Sequence, residues 1–363
     1  MNIRIFTLLI AVFSLGVRAD IYDYIYPNPG PSFSNYGGLG LIQNPNARFL
    51  KEGSLAFTWS HNDPYLRGSI VAYPFNWLEA AYQYTDVNDE LYSTVKDFSG
   101  SQSLKDKSFD IKLRLLEETK VLPQIAFGLR DFGGTGRFAS EYLVASKMIN
   151  SLVDFDLSFG IGWANLNGNK IQNPLTSLST HFESRTRQID LGGKVNTKTF
   201  LTGDAGLFGG VEFSIPNARG AKFKIEFDGT NYQTESNPQI QKSKINYGLV
   251  YPASDRLIFK ISSSRGTILN FGFSYSLNLS SSNPNNINKV KRKKIENKNV
   301  VKSVTSRSDE TLYKAAWIYL SREGISLQKA SVNEEELHVV YSQSKYRNPS
   351  LSIGRAMNTL NDL

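Results

Sequence analysis

Alternation of apolar and polar side chains at every second residue is the feature that most constrains this chain. It recurs from Ser54 to Ser280, as in VDFDLSFGIGW (Val153 to Trp163) and LNFGFSYSLNL (Leu269 to Leu279). Side chains two residues apart lie on the same face of a strand. Each segment therefore has one apolar or aromatic face and one small, polar or charged face, which predicts antiparallel β structure.

The alternating region predicts about twelve strands, most of them about nine residues or longer. The expected first residues of these strands are Ser54, Leu66, Trp77, Phe109, Pro123, Ala139, Val153, Ala205, Ala221, Ile245, Arg256 and Leu269. A tilted strand needs roughly 9 to 11 residues to cross a bilayer, whereas strands of soluble sheets usually have about 5 to 6. The lengths favour strands that span a membrane.

The connections distinguish a membrane barrel from a soluble β-sandwich, which also buries one face of every strand. In bacterial outer-membrane barrels the periplasmic turns are short and the outer loops are long. If the first strand rises from the periplasm, the long segments Val87 to Asp106, Ala164 to Phe200 and Thr230 to Lys244 all fall on the outer side. The predicted fold class is all-β, a transmembrane antiparallel β-barrel over residues 54–280 with both ends in the periplasm.

The polar face of the strands carries charges of both signs, and these side chains would point into the lumen. The side chains selected as facing the lumen or a glycan are Glu79, Lys112, Arg114, Arg130, Asp154, Glu212, Lys224 and Glu226, and the wider set of lumen charges adds Asp110, Asp156, Lys222 and Asp228. Opposite charges on neighbouring strands can pair in a crowded interior. A plugged and braced lumen is therefore at least as well supported as an open channel.

The first 19 residues have the three parts of a secretory signal. Arg4 gives a positive start, Ile5 to Leu15 is apolar, and Val17 to Ala19 is a small-residue cleavage site. The apolar stretch falls short of the roughly 17 to 25 residues of a membrane-spanning helix. We expect export with cleavage before Asp20, and a periplasmic or plug segment over residues 20–53.

The formal net charge of +8 is concentrated in one segment. Between Asn283 and Arg307 there are eight basic residues and a single acidic one, Glu296. This composition is typical of a solvated, flexible linker, which we assign to residues 281–308. No nucleic-acid partner is expected for an exported protein. The chain has no cysteine, which excludes disulfides, thiolate metal sites and cysteine nucleophiles.

The pattern changes after the linker and predicts a small α/β module over residues 309–363. The expected elements are a helix capped by Ser308 or Asp309 and ended by Gly324, strands over Ile325 to Ala330 and Leu337 to Tyr341, and a helix that begins at Asn348-Pro349. A module of this size is marginally stable alone. We therefore expect it to dock onto a periplasmic partner.

The chain carries no recognised catalytic signature. No G-x-S-x-G, H-E-x-x-H or P-loop pattern occurs, and His61, His181 and His338 are isolated from one another. DFGGTG (Asp131 to Gly136) resembles a phosphate loop, but a strand follows it where such a loop needs a helix. Glycines with positive φ in a hairpin explain it instead. The prediction is a non-enzymatic protein without a metal or cofactor.

Several long segments of the sequence resemble the YjbH-type exopolysaccharide biosynthesis family. The segments that carry the resemblance are GGLGLIQNPNARFLKEGSLAFTWS (Gly37 to Ser60), KSFDIKLRLLEET (Lys107 to Thr119), PQIAFGLRDFGGTGRFASEYLVASK (Pro123 to Lys147), GLFGGVEF (Gly206 to Phe213), FDGTNY (Phe227 to Tyr232), LYKAAWIYLSREGISLQ (Leu312 to Gln328) and YRNPSLSIGRAMNTL (Tyr346 to Leu360). Together they cover most of the mature chain.

The resemblance implies an outer-membrane barrel made alongside machinery that exports a capsule or exopolysaccharide, including a Wza-like export lipoprotein and small periplasmic partners. It supplies no catalytic residues. Members of the family usually continue past the module into a second barrel, whereas this sequence stops at Leu363. A natural one-barrel form, a split gene and a truncated product are all compatible with that difference.

Three functions follow as hypotheses. The first is a non-enzymatic barrel in outer-membrane lipid that assists export or surface assembly of an exopolysaccharide or capsule, in contact with the polymer chain and with export or periplasmic accessory proteins. The second is a general porin or structural barrel with a periplasmic tethering module. The third is a soluble periplasmic β-sandwich that binds carbohydrate.

Overall fold

The computed structural model describes residues 30–149, 154–186, 197–215, 218, 220–235, 237–280, 309–332, 337–343, 345–346 and 349–361. The chain divides into two compact units, one built on the long strands and the other on the C-terminal residues. The predicted signal peptide and the basic linker of residues 281–308 lie outside the described residues. Both stay predictions.

A single sheet of thirteen strands builds the first unit. The strands are β1 (Ser54–Asn62), β2 (Tyr65–Phe75), β3 (Leu78–Leu91), β4 (Ser103–Leu116), β5 (Gln124–Arg130), β6 (Ser140–Ile149), β7 (Phe155–Trp163), β8 (Lys170–Ile171), β9 (Ala205–Ser214), β10 (Lys222–Phe227), β11 (Ile245–Pro252), β12 (Leu257–Ser264) and β13 (Ile268–Asn278). The connections contain a short helix, α1 (Lys96–Ser99), and 3-10 turns at Ala164–Leu166, Pro174–Ser177, Thr180–Phe182, Thr197–Thr199 and Tyr232–Thr234.

The pairing of the strands closes this sheet into a barrel. Ser54 of β1 lies opposite Tyr73 of β2 on one side and Asn278 of β13 on the other. β9 pairs with both β7 and β10, and β8 adds two residues beside the end of β9. The result is an antiparallel barrel of twelve long strands, which confirms the predicted fold class. The β-sandwich alternative is wrong, because each long strand of the described chain has a partner on both sides.

The two faces of the strands have opposite environments. Every second side chain of β1, β5 and β11 is buried in the interior. The side chains between them point outward and include many large apolar groups, such as Phe159 at 61% exposure and Phe259 at 47%. Soluble monomers rarely expose large contiguous apolar surfaces. This distribution is the one that a barrel surrounded by lipid requires.

The strands β3 and β4 are longer than predicted. They extend into the loop expected over Val87 to Asp106, and β4 begins at Ser103 rather than Phe109. In the extension Asp86 lies opposite Lys105 and forms an ion pair with it. Paired opposite charges can stabilise neighbouring strands that have no apolar face. The hydrogen-bonded pairing of β3 and β4 therefore extends beyond the residues in which apolar and polar side chains alternate.

The C-terminal unit has the predicted helix-strand-strand-helix order. Its elements are α2 (Asp309–Arg322), β14 (Ile325–Val332), β15 (Leu337–Gln343) and α3 (Pro349–Asn361). Gly324 follows α2 with a φ of 77°, the left-handed conformation that glycine favours after a helix. The two strands pair antiparallel, and the helices pack on them around Leu320, Ile325 and Ala356. Among the helices that the structure describes, none is long and apolar enough to cross a membrane.

Candidate functional site: a plugged lumen and a cavity among the loops

Residues 30–50, here named the plug, lie inside the barrel. Between Ser32 and Ala47 every residue except Gly38 is buried. Tight turns fold the segment on itself: the Asn35 N–H donates to the Ile42 carbonyl at 2.8 Å. The described part of the segment that the sequence assigned to the periplasm or to a plug therefore occupies the lumen.

Glu226 on β10 holds one turn of the plug. Its carboxylate, with 0% exposure, accepts the backbone N–H groups of Ile42, Gln43 and Asn44 at 2.8 to 3.0 Å. The side-chain amide of Asn246 donates to the same carboxylate at 2.8 Å. Several converging N–H groups can stabilise a buried carboxylate in place of a cation. The plug itself is thus the main partner of this charge.

Lysines on the barrel wall hold the carbonyl groups of the plug. Lys224 Nζ donates to the Gly40 and Leu41 carbonyls at 2.7 and 2.8 Å. Lys222 and Lys260 donate to other plug carbonyls in the same way. Since a buried ammonium group is costly without such partners, the plug and the lysines stabilise each other.

Pairing of opposite charges on neighbouring strands occurs as expected. Glu79 lies opposite Lys112, and their charged groups are 3.0 Å apart. Glu212 lies opposite Lys224 and also pairs with Lys222 at 2.7 Å. The lumen charges are therefore braced both by one another and by the plug.

Arg48 fixes the plug where it leaves the lumen toward β1. Its Nε and Nη2 atoms donate to Asp156 on β7 at 2.8 and 2.7 Å, a two-point contact. Its Nη1 atom donates to Glu118 in the β4–β5 turn and, at 3.1 Å, to Gln124. Burial opposes ionisation of Glu118, but the hydrogen bond from Arg48 lowers the pKa of that carboxyl below its usual value.

Apolar side chains of the plug complete the interior. Phe33 and Leu39 pack with Val71 and Tyr73. Ala47 belongs to a second apolar cluster, and Tyr36 belongs to a third. The second contains Ala126, Tyr142, Val144, Leu166 and Phe208, and the third contains Tyr65, Val87 and Phe138. The hydrophobic core of the barrel unit therefore lies partly in the lumen, against the plug.

Most of the side chains selected from the sequence do face the lumen. Those that the structure buries there are Glu79, Lys112, Arg130, Glu212, Lys224 and Glu226. Arg114 stacks over the ring of Phe49, with its Cζ atom 4.9 Å from the ring centroid, and pairs with Glu117. Its place is near the rim of the lumen rather than at its centre.

The assignment of Asp154 to the lumen is wrong. This residue is exposed and precedes β7, which begins only at Phe155. The Asp154 carbonyl accepts the Ser214 N–H at 3.0 Å, so the residue lies at the very end of the β7–β9 pairing, where the alternation no longer buries a side chain. Asp156, two residues later, has the expected position and binds Arg48.

Arg67 is a lumen residue that sequence reasoning missed. Its Cζ atom lies 4.3 Å from the ring centroids of both Tyr36, in the plug, and Tyr65. A guanidinium group over aromatic faces is stabilised by the electrostatics of the rings. Arg67 has the same parity on β2 as buried Ser69 and Val71, so the alternation would have placed it correctly.

A cavity of about 250 Å³ lies at one end of the barrel, among the β5–β6, β7–β9 and β10–β11 connections. Its lining includes two aromatic rings and several amide and hydroxyl groups, those of Phe132, Phe200, Asn165, Asn167, Thr135 and Thr234. Arg130, which also lines it, donates to the Gln43 carbonyl of the plug at 3.1 Å. The cavity therefore adjoins the plug.

Two arginines of the cavity are neutralised by carboxylates. Arg185 binds Glu141 through two hydrogen bonds of 2.6 and 2.9 Å. Arg137 binds Glu90 through hydrogen bonds of 2.6 and 3.2 Å. Two-point pairs of this kind are among the strongest ionic contacts in proteins. They fix the loops and cancel much of the positive charge of the lining.

Asp131 follows β5 and places a carboxylate in the cavity lining. Its Oδ2 atom accepts the Phe138 N–H at 3.0 Å, and its own N–H donates to Asp110 at 2.8 Å. Its Oδ1 atom is buried and has no hydrogen-bond partner among the described residues. Burial raises the pKa of Asp131 to about 7, and the nearby Asp106 adds to the rise.

The glycines of the DFGGTG segment have two different roles. Gly136 has a φ of 78°, as expected for a hairpin glycine. Gly134 does not, but a Cβ atom there would lie 2.5 Å from the Lys107 carbonyl oxygen and would collide with Asp131 Oδ1. Only the first role could be predicted from the sequence, because close approach between loops leaves no local pattern.

The histidines do not come together. His61 packs on the ring of Phe271, with 5.2 Å between ring centroids, whereas His181 and His338 are exposed. Within the described part of the chain, no group of three or more His, Cys, Asp or Glu side chains is placed to hold a metal ion. That the protein has no metal, cofactor or enzymatic activity stays a prediction.

Comparison with known proteins supplies the family. Residues 32–363 match the YjbH family model, which is described as "Exopolysaccharide biosynthesis protein YbjH". The chain belongs to the YjbH exopolysaccharide biosynthesis family. A relative from Escherichia coli (strain K12), named "Uncharacterized lipoprotein YjbH", is 41% identical over 280 residues, which make up 76% of this chain and 39% of the relative. This YjbH-family chain thus spans well under half the length of that relative.

Solved structures with a similar arrangement include two porins. One is the NanC porin and the other is the KdgM porin in complex with disordered oligogalacturonate. Each covers 62% of this chain and 99% of its own, at 9% sequence identity and TM-scores of 0.31 and 0.34. Similarity at this level carries no conclusion about function, and the barrel of the YjbH-family chain is established by its own strand pairing.

We expect Glu226→Ala to loosen the plug. The substitution leaves the N–H groups of Ile42, Gln43 and Asn44 without their acceptor, at about 1 to 3 kcal/mol for each buried group. Hydrogen exchange of these amides, measured by mass spectrometry on detergent-purified protein, should be about tenfold faster or more. Asp255→Ala is the control, because that residue is exposed in the turn between β11 and β12. Equal exchange in Glu226→Ala and the unaltered protein would contradict the anchoring role.

Asp131 should make stability depend on pH. Its pKa is raised in the folded state, so the folded state binds the proton more tightly than the unfolded state. The free energy of unfolding should fall as pH rises from about 4 to about 7, by up to about 1.4 kcal/mol per pH unit, and level off above. Asp131→Asn should remove this slope in denaturant unfolding of the purified protein. Parallel pH profiles for the two proteins would rule out the assignment.

Proposed function

We propose that this YjbH-family protein is a non-enzymatic outer-membrane barrel that assists the export or surface assembly of an exopolysaccharide or capsule polymer. The observation that carries the proposal is the plug, which is buried in the lumen and bound there by Glu226, Lys224 and Arg48. A lumen occupied in this way suits an accessory protein better than a conduit. Membership of the family supplies the class of polymer.

The outward face of the barrel supports a location in the outer membrane. Large apolar side chains such as Phe159 and Phe259 point away from the interior, and lipid is the environment in which their exposure costs least. The predicted signal peptide and the lipoprotein name of the Escherichia coli relative agree with a membrane destination. In this proposal the long loops face the outside, while the short turns and the C-terminal module face the periplasm.

The C-terminal module suits contact with periplasmic partners. Tyr313 and Trp317 on α2 are exposed, as are Ile353 and Met357 on α3. Residues four apart share one side of a helix, so each helix presents a pair of apolar groups. In the proposal this surface meets the export machinery, for which the family resemblance suggests a Wza-like lipoprotein or small accessory proteins, while the loops meet the polymer.

The general-porin alternative has less support. A porin needs a continuous aqueous path through the lumen. Here the plug lies in that space, and its backbone groups bind charged side chains that would otherwise line a channel. No other feature of the described residues favours conduction.

Deletion of the gene should separate assembly from synthesis. We expect the total amount of polymer made to stay the same while the amount displayed on or released from the cell surface falls, because the protein is proposed to act after polymerisation. The measurement is the polysaccharide content of surface, medium and cell-internal fractions, with restoration by the unaltered gene as the control. Unchanged surface polymer would overturn the proposal, and an equal fall in total polymer would indicate a biosynthetic role.

A further inference from the structure

We propose that the cavity among the loops binds one uncharged sugar residue of the polymer. This inference rests on the proposed function and names the chemical class that the loop end of the barrel recognises. The size of the cavity, its lining, its charge and one unpartnered carboxylate oxygen support this assignment.

The size of the cavity fits a single ring. Its volume is about 250 Å³, whereas pockets for drug-sized ligands usually have about 300 to 1,000 Å³. A chain of several sugars would not fit inside it. One residue of a polymer, or its terminal residue, can enter while the remainder stays among the loops.

The lining matches the two kinds of group that a sugar ring presents, its C–H groups and its hydroxyl groups. Phe132 and Phe200 offer aromatic surface for the C–H groups of the ring. The side chains of Asn165, Asn167 and Thr234 contribute amide and hydroxyl groups that can exchange hydrogen bonds with sugar hydroxyls. Because these residues belong to connections fixed by the Arg185–Glu141 pair and by the plug, the cavity is formed without a ligand.

The charge of the lining disfavours an acidic sugar. Arg185 and Arg137 already hold carboxylates through two-point contacts. Arg130 stacks on the ring of Tyr36 at 4.3 Å and donates to a plug carbonyl. A uronic acid would have to break one of these contacts to gain a cation, whereas a neutral sugar leaves them intact.

Asp131 supplies a buried acceptor at the cavity wall. Its side chain is 3% exposed and lines the cavity, and its Oδ1 atom has no hydrogen-bond donor among the described residues. A buried acceptor of this kind is satisfied by a donor from the ligand, such as a sugar hydroxyl. Above its pKa of about 7, Asp131 is ionised and would also repel the carboxylate of an acidic sugar. Gly134 packs directly against Oδ1, because a Cβ atom at this position would collide with that oxygen.

Binding of matched sugars to the full-length, detergent-purified protein tests the inference. The probes are D-galactose with D-galacturonate and D-glucose with D-glucuronate, each pair differing in the C6 group, together with D-mannose, L-rhamnose, L-fucose and N-acetyl-D-glucosamine. Saturation-transfer NMR detects contacts with dissociation constants of about 1 mM, the strength expected of one small polar ligand. We expect at least one neutral sugar to bind and its uronate, where the pair exists, to bind about tenfold more weakly or not at all.

The variant Asp131→Asn locates the site. The binding is measured at about pH 8, where Asp131 is ionised. The amide keeps the shape of the side chain but loses the charged acceptor, so neutral-sugar binding should weaken about tenfold or more. Glu117→Gln is the control, because it changes a carboxylate in an exposed turn outside the cavity lining. Heat-modified gel mobility shows that each variant still forms a barrel.

Three results would overturn the inference: binding of no neutral sugar, binding of a uronate as strong as that of its neutral partner, or neutral-sugar binding that Asp131→Asn leaves unchanged. The proposed function is judged separately by surface polymer in the deletion strain. A fall in surface polymer without sugar binding would remove only the cavity assignment. Sugar binding without any change in surface polymer would remove the proposed function and leave a sugar-binding barrel.

Discussion

The interior of this barrel depends on one reciprocal interaction, in which charged side chains of the wall and backbone groups of the plug satisfy each other. Lys222, Lys224 and Glu226 follow at every second position of β10 and therefore share its inner face. The lysines take plug carbonyls and Glu226 takes plug N–H groups. Burial of ions or peptide groups without partners costs several kcal/mol. Neither the wall nor the plug would be stable in its observed environment without the other.

The same interaction connects the lumen to the loops. Tyr36 of the plug accepts a hydrogen bond from Asn165 at 3.3 Å and lies under the guanidinium groups of both Arg67 and Arg130. Asn165 and Arg130 also line the cavity. The plug is thus a structural support for the loop end of the barrel. A loosened plug would disturb the cavity floor as well as the lumen.

Periodicity, together with the lengths of the connections and the capping residues, predicted the barrel, the helix-strand-strand-helix module and the parity of most lumen charges, because these properties depend on residues close in sequence. The alternation gave a wrong prediction at two places. Ion pairing extends β4 back to Ser103, beyond its apolar face, and Asp154 is exposed just before β7 begins. Pairing among the lumen charges was expected from the sequence, but their partners in the plug were not. Ile42 and Glu226 are 184 residues apart, and the cavity joins three separate connections, so no local spacing relates them.

Planar-bilayer recording of the purified full-length protein tests the central claim, that the plug occupies the lumen as an integral part of the barrel. With the plug held by the wall charges, insertion should give no steady conductance at low voltage in ordinary salt. The Glu226→Ala barrel, with its plug loosened, should show openings that the unaltered protein lacks. A stable, ohmic conductance from the unaltered protein would contradict the account and restore the porin alternative.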